Sequence, residues 1–311
     1  MADLAQITVM SRIIIYGDIP AGLVDVPEGS VQVSPLHPGA VTLDALKEGS
    51  YTGLVMRAPS NTMERRHEIA LALRALAPGA PLTILAPKDK GGTRLAKDLL
   101  GFGVMVSDQP KRHHRICQGK RPEALRGIEA ALAEGALRHL PSLGIWGQPG
   151  LFSWDRIDAG TQALLDVLPA LSGKIADFGC GAGVLSRSVL QGQHVTALTG
   201  FELDRRAIAA AHKAISDPRF ASVWTDLVAD GTGGQSFDTI VMNPPFHRAG
   251  IEDQTLGMAM IGRAAEALRP GGSLWLTANR HLPYEAILKA RFASFTLKSE
   301  AQGFKVYQAI R

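Results

Sequence analysis

Residues 177–183 read Asp177-Phe178-Gly179-Cys180-Gly181-Ala182-Gly183, between the apolar run Lys174–Phe178 and the helical stretch Val184–Gln191. Strand, glycine turn and helix in that order form the repeating unit of parallel α/β sheets. The glycines let the backbone turn tightly and approach a ligand closely. Their spacing is G-x-G-x-G with Val184 following, so the dinucleotide fingerprint G-x-G-x-x-G fails. No Gly-Lys-Ser/Thr follows, so the loop is not a P-loop either. An Asp two residues before the first glycine suits a cationic ligand better than a pyrophosphate. By itself the loop also reads as a bare turn.

The same alternation extends outward from this loop. Towards the C-terminus the patterns predict strands at 194–201, 221–225, 239–242 and 273–277, with helices at 205–215 and 256–268. Two further strands, 295–300 and 304–310, are joined only by Ala301-Gln302-Gly303. So short a link cannot make a parallel crossover and predicts an antiparallel hairpin. Upstream, 162–168 reads as a helix. The first half shows strands at 12–16, 53–57 and 82–86, helices at 64–77 and 93–100, and a short candidate strand at 104–106. Pro141, Gly144, Gly147, Pro149 and Gly150 cluster between the halves, with no apparent room for an element. The expected fold is α/β: two tandem Rossmann-like domains, 1–142 and 149–311, with mostly parallel sheets and an antiparallel hairpin closing the second.

Composition narrows the class further. The chain has 311 residues, 46% hydrophobic and 20% charged, which argues against disorder and fibrous structure. Two cysteines, Cys117 and Cys180, cannot build a disulfide framework or a four-ligand zinc site, and no metal is expected. Net charge is +4, split +3 and +1 at residue 145. That balance permits a nucleic-acid partner without demanding one. The start MADLAQITVMSR shows no leader pattern, and no apolar run approaches the roughly 18 residues of a membrane span. A cytoplasmic enzyme, not a membrane protein, is the expectation.

Three further features carry chemistry. Glu202 lies 25 residues after Asp177 at the end of the next strand. An acid there accepts hydrogen bonds from ribose hydroxyls, or else caps the following helix with Asp204. Asp226 ends the strand after that, as a partner for an adenine amino group or as an ordinary loop acid. Asn243-Pro244-Pro245-Phe246 follows the strand at 239–242. The prolines hold the chain extended and expose rigid carbonyls beside the Asn amide, with an aromatic ring next to them. That set suits a flat substrate bearing an NH2 group.

The loop at 177–183, Glu202 and Asn243–Phe246 together resemble a class I S-adenosylmethionine-dependent N-methyltransferase. More specifically, PGLFSWDRIDAGTQALL (149–165), DFGCGAGVLS (177–186), NPPFH (243–247) and GFKVYQAI (303–310) resemble the ribosomal RNA small-subunit methyltransferase C family, which makes N2-methylguanine. The resemblance implies a catalytic domain at 149–311 that uses S-adenosylmethionine. It places Asp177, Gly179, Gly181, Gly183, Glu202, Asp226 and Phe152 at the cofactor and Asn243, Pro244, Pro245 and Phe246 at the chemistry. The 149–165 segment would pack over the cofactor's methionine end; read from the residues, Asp158 also serves as a helix N-cap. His247 is a candidate proton acceptor.

The family also carries an N-terminal domain of the same fold without a cofactor site, and residues 1–142 hold neither motif. Their nearest equivalents are Tyr16-Gly17-Asp18 and Arg57-Ala58-Pro59-Ser60. This half is expected to be non-catalytic, binding RNA or supporting its neighbour. Its basic run 111–126, with Lys111, Arg112, Arg115, Lys120 and Arg121, suits phosphates and equally suits a solvated loop and helix start. The expected partner is ribosomal RNA, within or outside the small subunit. The alternatives are a large-subunit guanine methyltransferase, a protein glutamine N-methyltransferase and a non-catalytic RNA-binding factor.

Overall fold

The computed structural model describes residues 12–245, 247, 248, 251, 252 and 254–311; Phe246 lies outside the described residues, and for 247, 248, 251 and 252 only the backbone is described. The chain forms two compact units, one ending at Ala136 and one spanning Leu137–Arg311.

In the first unit the elements are β1 (Ile13–Tyr16), β2 (Val31–Gln32), β3 (Gly53–Arg57), α1 (Thr62–Ala75), β4 (Pro81–Pro87), α2 (Thr93–Gly101), β5 (Val106–Lys111), β6 (His114–Lys120) and α3 (Ile128–Glu134). Asn61 starts α1 two residues before the periodic pattern begins, because its side chain accepts from the N–H groups of Met63 and Glu64 at 3.0 and 3.1 Å. Such a cap is worth about 1 kcal/mol. The apolar stripe Ile69, Ala72 and Leu73 of α1 is buried, as is its C-cap Leu76. The sheet order is β2-β1-β3-β4-β6-β5. Pairings up to β4 are parallel, whereas β6 runs antiparallel to both β4 and β5. The basic run from Lys111 is therefore not a loop leading into a helix. Most of it is a hairpin whose turn residues Arg112 and His113 take positive φ, 44° and 62°.

The second unit begins with a short antiparallel pair, β7 (Arg138–Leu140) and β8 (Ile145–Gly147). The glycine- and proline-rich junction thus does hold an element, a tight hairpin that turns through Pro141–Gly144. There follow α4 (Ala159–Leu165), β9 (Gly173–Phe178), α5 (Val184–Val189), β10 (Val195–Glu202), α6 (Arg205–Ala214), β11 (Phe220–Trp224), α7 (Leu227–Asp230) and β12 (Phe237–Met242). After them come β13 (His247–Arg248), β14 (Ile251–Glu252), α8 (Gln254–Ala267), β15 (Leu268–Asn279), α9 (Glu285–Arg291), β16 (Ser294–Ala301) and β17 (Phe304–Ile310).

The main sheet runs β11-β10-β9-β12-β15-β17-β16. Its strands are parallel except β17, which is antiparallel to β15 and β16, as the three-residue link predicts. Both faces of the sheet are covered. Along β9, Ile175 faces one apolar cluster and Ala176 the other, which is why buried parallel strands read as continuous apolar runs. Phe178, Phe201 and Phe237 meet edge to face at 5.5 and 5.9 Å. Each contact contributes roughly 0.5–1.5 kcal/mol beyond burial and ties β9, β10 and β12 together. The order reverses beside β9, so a crevice opens at the carboxyl ends of β9, β10 and β12, where open α/β sheets bind ligands.

Candidate active site

A cavity of about 320 Å³ fills that crevice. Eight of the residues singled out in the sequence line it: Phe152, Gly179, Gly181, Glu202, Asp226, Asn243, Pro244 and Pro245. A smaller adjoining recess shares Phe152, Gly179, Gly181 and Asn243 and adds Asp158 and Thr161.

The glycine loop leaves β9 through positive φ angles at Gly179, Gly181 and Gly183. Gly183 does not reach the cavity. A Cβ there would come within 2.9 Å of Ile215 and 3.1 Å of Ala211, so this glycine lets the loop pack on α6. Asp177 does not line the cavity either. It is fully buried beneath the loop, and its Oδ2 accepts from Ser186 Oγ at 2.7 Å. Its Oδ1 has no hydrogen-bond partner among the described residues, and burial pushes its pKa up to about 7.

Glu202 ends β10 at the cavity wall. Its Oε2 accepts from Gly181 N at 2.8 Å, and its Oε1 from the N–H groups of Leu203 and Asp204 at 2.8 and 2.9 Å. Burial holds its carboxyl above the ordinary range even against these donors. The capping of α6 falls to Asp204, which accepts from Arg206 N at 2.9 Å. Asp226 caps α7 through Oδ1, accepting from Val228 and Ala229 N–H at 3.0 and 3.2 Å. Phe152 stands 61% exposed at the mouth.

Asn243 follows β12. Its Nδ2 donates to Asp158 Oδ2 at 2.8 Å and to Thr161 Oγ1 at 2.9 Å, so Oδ1 is the amide's remaining end. Apart from Thr225 the remaining walls are apolar, with Phe201, Leu203, Leu227, Val228, Leu256 and Met260. Sequence reading missed these because apolar residues in helices and at strand ends look like core. It also missed Thr161, which lies 82 residues from its partner Asn243.

The donor set fits S-adenosylmethionine. A carboxylate backed by three N–H groups stands at the second strand end, where ribose hydroxyls need an acceptor. Apolar walls suit a flat base, and an unpaired carboxyl oxygen lies under the loop.

The family model for the methyltransferase small domain matches residues 142–308. The ribosomal RNA small subunit methyltransferase C of Pseudomonas aeruginosa (strain LESB58) is 30% identical over 294 residues, covering 90% of this chain and 86% of that protein. The protein of the same description from Chromohalobacter salexigens is 34% identical over 255 residues, 78% and 73% of the two chains. The chain belongs to the ribosomal RNA small subunit methyltransferase C family. Membership makes it an S-adenosylmethionine-dependent methyltransferase. A solved family structure, the T. Thermophilus 16S rRNA N2 guanine methyltransferase in complex with AdoMet and guanosine, shares the fold. Its TM-score is 0.78 at 22% identity over 96% of this chain and 88% of that one.

Within this family fold, four of the five basic residues singled out in and beside β5 and β6 have internal partners. Lys111 Nζ donates to Leu23 O at 2.7 Å and Arg112 to Ala21 O at 3.4 Å. Arg115 pairs with Asp108 at 2.5 Å. Arg121 donates to the carbonyls of Leu73, Pro122 and Glu123, and Lys120 is exposed. Among the described residues no His/Cys/Asp/Glu group could hold a metal ion, and no helix is long and apolar enough to cross a membrane.

Proposed function

We propose that this chain transfers a methyl group from S-adenosylmethionine to the N2 amine of a guanine in 16S ribosomal RNA, in the cytoplasm. The observation that carries this reading is the Asn243 amide, whose NH2 end is fixed away on Asp158 and Thr161. An aromatic amine is a poor nucleophile because its lone pair is delocalised into the ring. Asn243 Oδ1 and the carbonyl of Pro244 would each accept one N–H hydrogen, which draws the nitrogen towards the tetrahedral geometry of attack. The bound cofactor supplies a methyl carbon already activated on a sulfonium. The chain's task is therefore alignment, which is a large source of rate, and not strong base catalysis. One proton leaves the nitrogen as the new N–C bond forms, and water at the open mouth can take it.

In the same reading Glu202 would hold the cofactor's ribose and Asp226 its adenine edge, while Asp177 would act from beneath the loop. Phe152 covers the mouth. Phe246 would stack on the base, a contact worth roughly 1–3 kcal/mol. The guanine enters unpaired or flipped out. Residues 1–142 form a non-catalytic domain that contacts RNA or supports the catalytic one. The relatives' shared description as small-subunit enzymes supports 16S over 23S RNA and over protein glutamine. Labelled cofactor with purified small subunits, followed by nucleoside analysis, tests the reading: N2-methylguanosine is expected, and Asn243→Ala should lower kcat on the order of 100-fold. Label in protein or in 23S RNA alone would overturn it.

A further inference from the structure

Asn243 presents a problem that its own residue type does not solve. A side-chain amide has nearly the same shape in either of its two orientations, yet only one presents an acceptor. Flipped, it would aim two N–H donors at an incoming amine. We infer that Asp158 is a positioning residue that sets the orientation of the Asn243 amide; this rests on the methyl-transfer reading of the site. The carboxylate of Asp158 has acceptors only, so the atom 2.8 Å from its Oδ2 must be the nitrogen. A flip would set oxygen against carboxylate oxygen at that distance. Thr161 Oγ1 receives the second Nδ2 bond at 2.9 Å.

The lock is anchored as well as aimed. The same Asp158 Oδ2 accepts from Thr161 N at 2.9 Å and caps α4. One oxygen therefore fixes both the helix start and the amide, and the helix dipole favours a negative group there. Gly160 lies between the two partners with no room for a side chain: a Cβ would stand 2.8 Å from the Phe304 ring and 3.0 Å from Asp158 Oδ2. Asp158, Gly160 and Thr161 thus form one rigid clasp on the residue after β12, 85 positions away.

Asp158→Ser separates the two duties. Serine caps a helix about as well as aspartate, but its hydroxyl falls short of Asn243. The expected result is a fall in kcat on the order of 10- to 100-fold. KM for RNA and Kd for the cofactor should stay within about threefold, and Tm within a few degrees. Asp158→Asn keeps a carbonyl acceptor and should recover most of that loss. Thr161→Val retains the backbone N–H and should cost a smaller factor.

A readout independent of activity is available, because the chain has only three asparagines, Asn61, Asn243 and Asn279. With ¹⁵N-asparagine labelling, the Asn243 NH2 pair should be protected from exchange in the wild type and lose that protection in Asp158→Ser. An unchanged NH2 signal, or kcat within twofold of wild type, would overturn the inference. So would a loss confined to KM or matched by lost cofactor binding. Wild-type protein without methyl transfer to rRNA would instead count against the proposed function, while the NH2 signal would still decide the lock.

Discussion

Asp177→Asn isolates the cost of keeping a carboxyl under the glycine loop. The side chain is fully buried, with a hydrogen bond from Ser186 on one oxygen and no partner among the described residues on the other. Burial raises its pKa from 3.8 to about 7. Between those values the folded protein holds a proton that the unfolded chain has released. The stabilisation is fully present below the unfolded value and is lost as pH rises through about 7. Integrating the linkage from pH 5.5 to pH 8.5 gives a loss of about 2 kcal/mol from this one group. Asparagine keeps an acceptor for Ser186 but cannot ionise. The stability of wild type relative to Asp177→Asn should therefore fall by about 2 kcal/mol across that range. All four tryptophans, Trp146, Trp154, Trp224 and Trp275, lie in the second unit, so fluorescence-monitored urea melts of ligand-free protein report on the right unit. A difference between the two proteins that does not change with pH would mean that the carboxylate is ionised in the fold, and the burial argument would fail.

Glu202→Gln replaces a charged acceptor at the cavity wall with an amide, and should weaken cofactor binding roughly 10- to 100-fold with the fold intact; calorimetry showing unchanged affinity would remove Glu202 from the ribose site. Gly257→Ala should destabilise the second unit by about 1–3 kcal/mol through overpacking, because the new Cβ would overlap the hydroxyl of the buried Tyr284. At an unobstructed helix position the same change gains up to about 1 kcal/mol, so the sign of the shift in urea midpoint checks the geometry. If β5 and β6 face RNA, Lys120→Ala should reduce the salt slope of binding by about one; an unchanged slope in filter-binding titrations across salt would assign the hairpin to structure alone.

Much of the second unit was legible because its signals are local. The glycine loop, the acids Glu202 and Asp226 at or just past strand ends, and the hairpin at 294–310 each announce themselves within 17 residues or fewer. What was not legible has identifiable causes. β5 reads Val-Ser-Asp-Gln-Pro-Lys and is almost wholly exposed; as the edge of its sheet it carries the charge and proline that protect an edge from further pairing, and so it lacks the alternation that identifies a strand. β7 and β8 are three residues each, too short to show a period between their turn residues. The Asn243–Asp158 bond joins positions whose nearness depends on the whole sheet. Asp158 alone could be read only as a helix cap, which it also is.

The two units share one strand plan. Removing β11 from the second leaves β10-β9-β12-β15-β17-β16, which matches β2-β1-β3-β4-β6-β5 in order and direction. By that match Gln32 ends the strand equivalent to the one Glu202 ends, and its bonds agree. Its Oε1 accepts from Gly17 N at 3.2 Å and from the next two N–H groups, Val33 and Ser34, both at 3.0 Å. Glu202 binds the same three kinds of donor, one on the glycine loop and the two that follow it. The scaffold is preserved while the charge is gone. The segment after β3 is equivalent to Asn243–Pro245, and there the carbonyls of Pro59 and Ser60 accept from the Arg65 guanidinium at 3.3 and 3.0 Å. Arg65 is itself fully buried and paired with Asp98 at 2.8 Å. Of two things that the proposed chemistry requires, the anionic ribose acceptor is thus replaced here by a neutral amide, and the open carbonyls are occupied by Arg65. Restoring the acid with Gln32→Glu would leave those carbonyls occupied, so that one substitution would not rebuild in the first unit what the proposed chemistry requires.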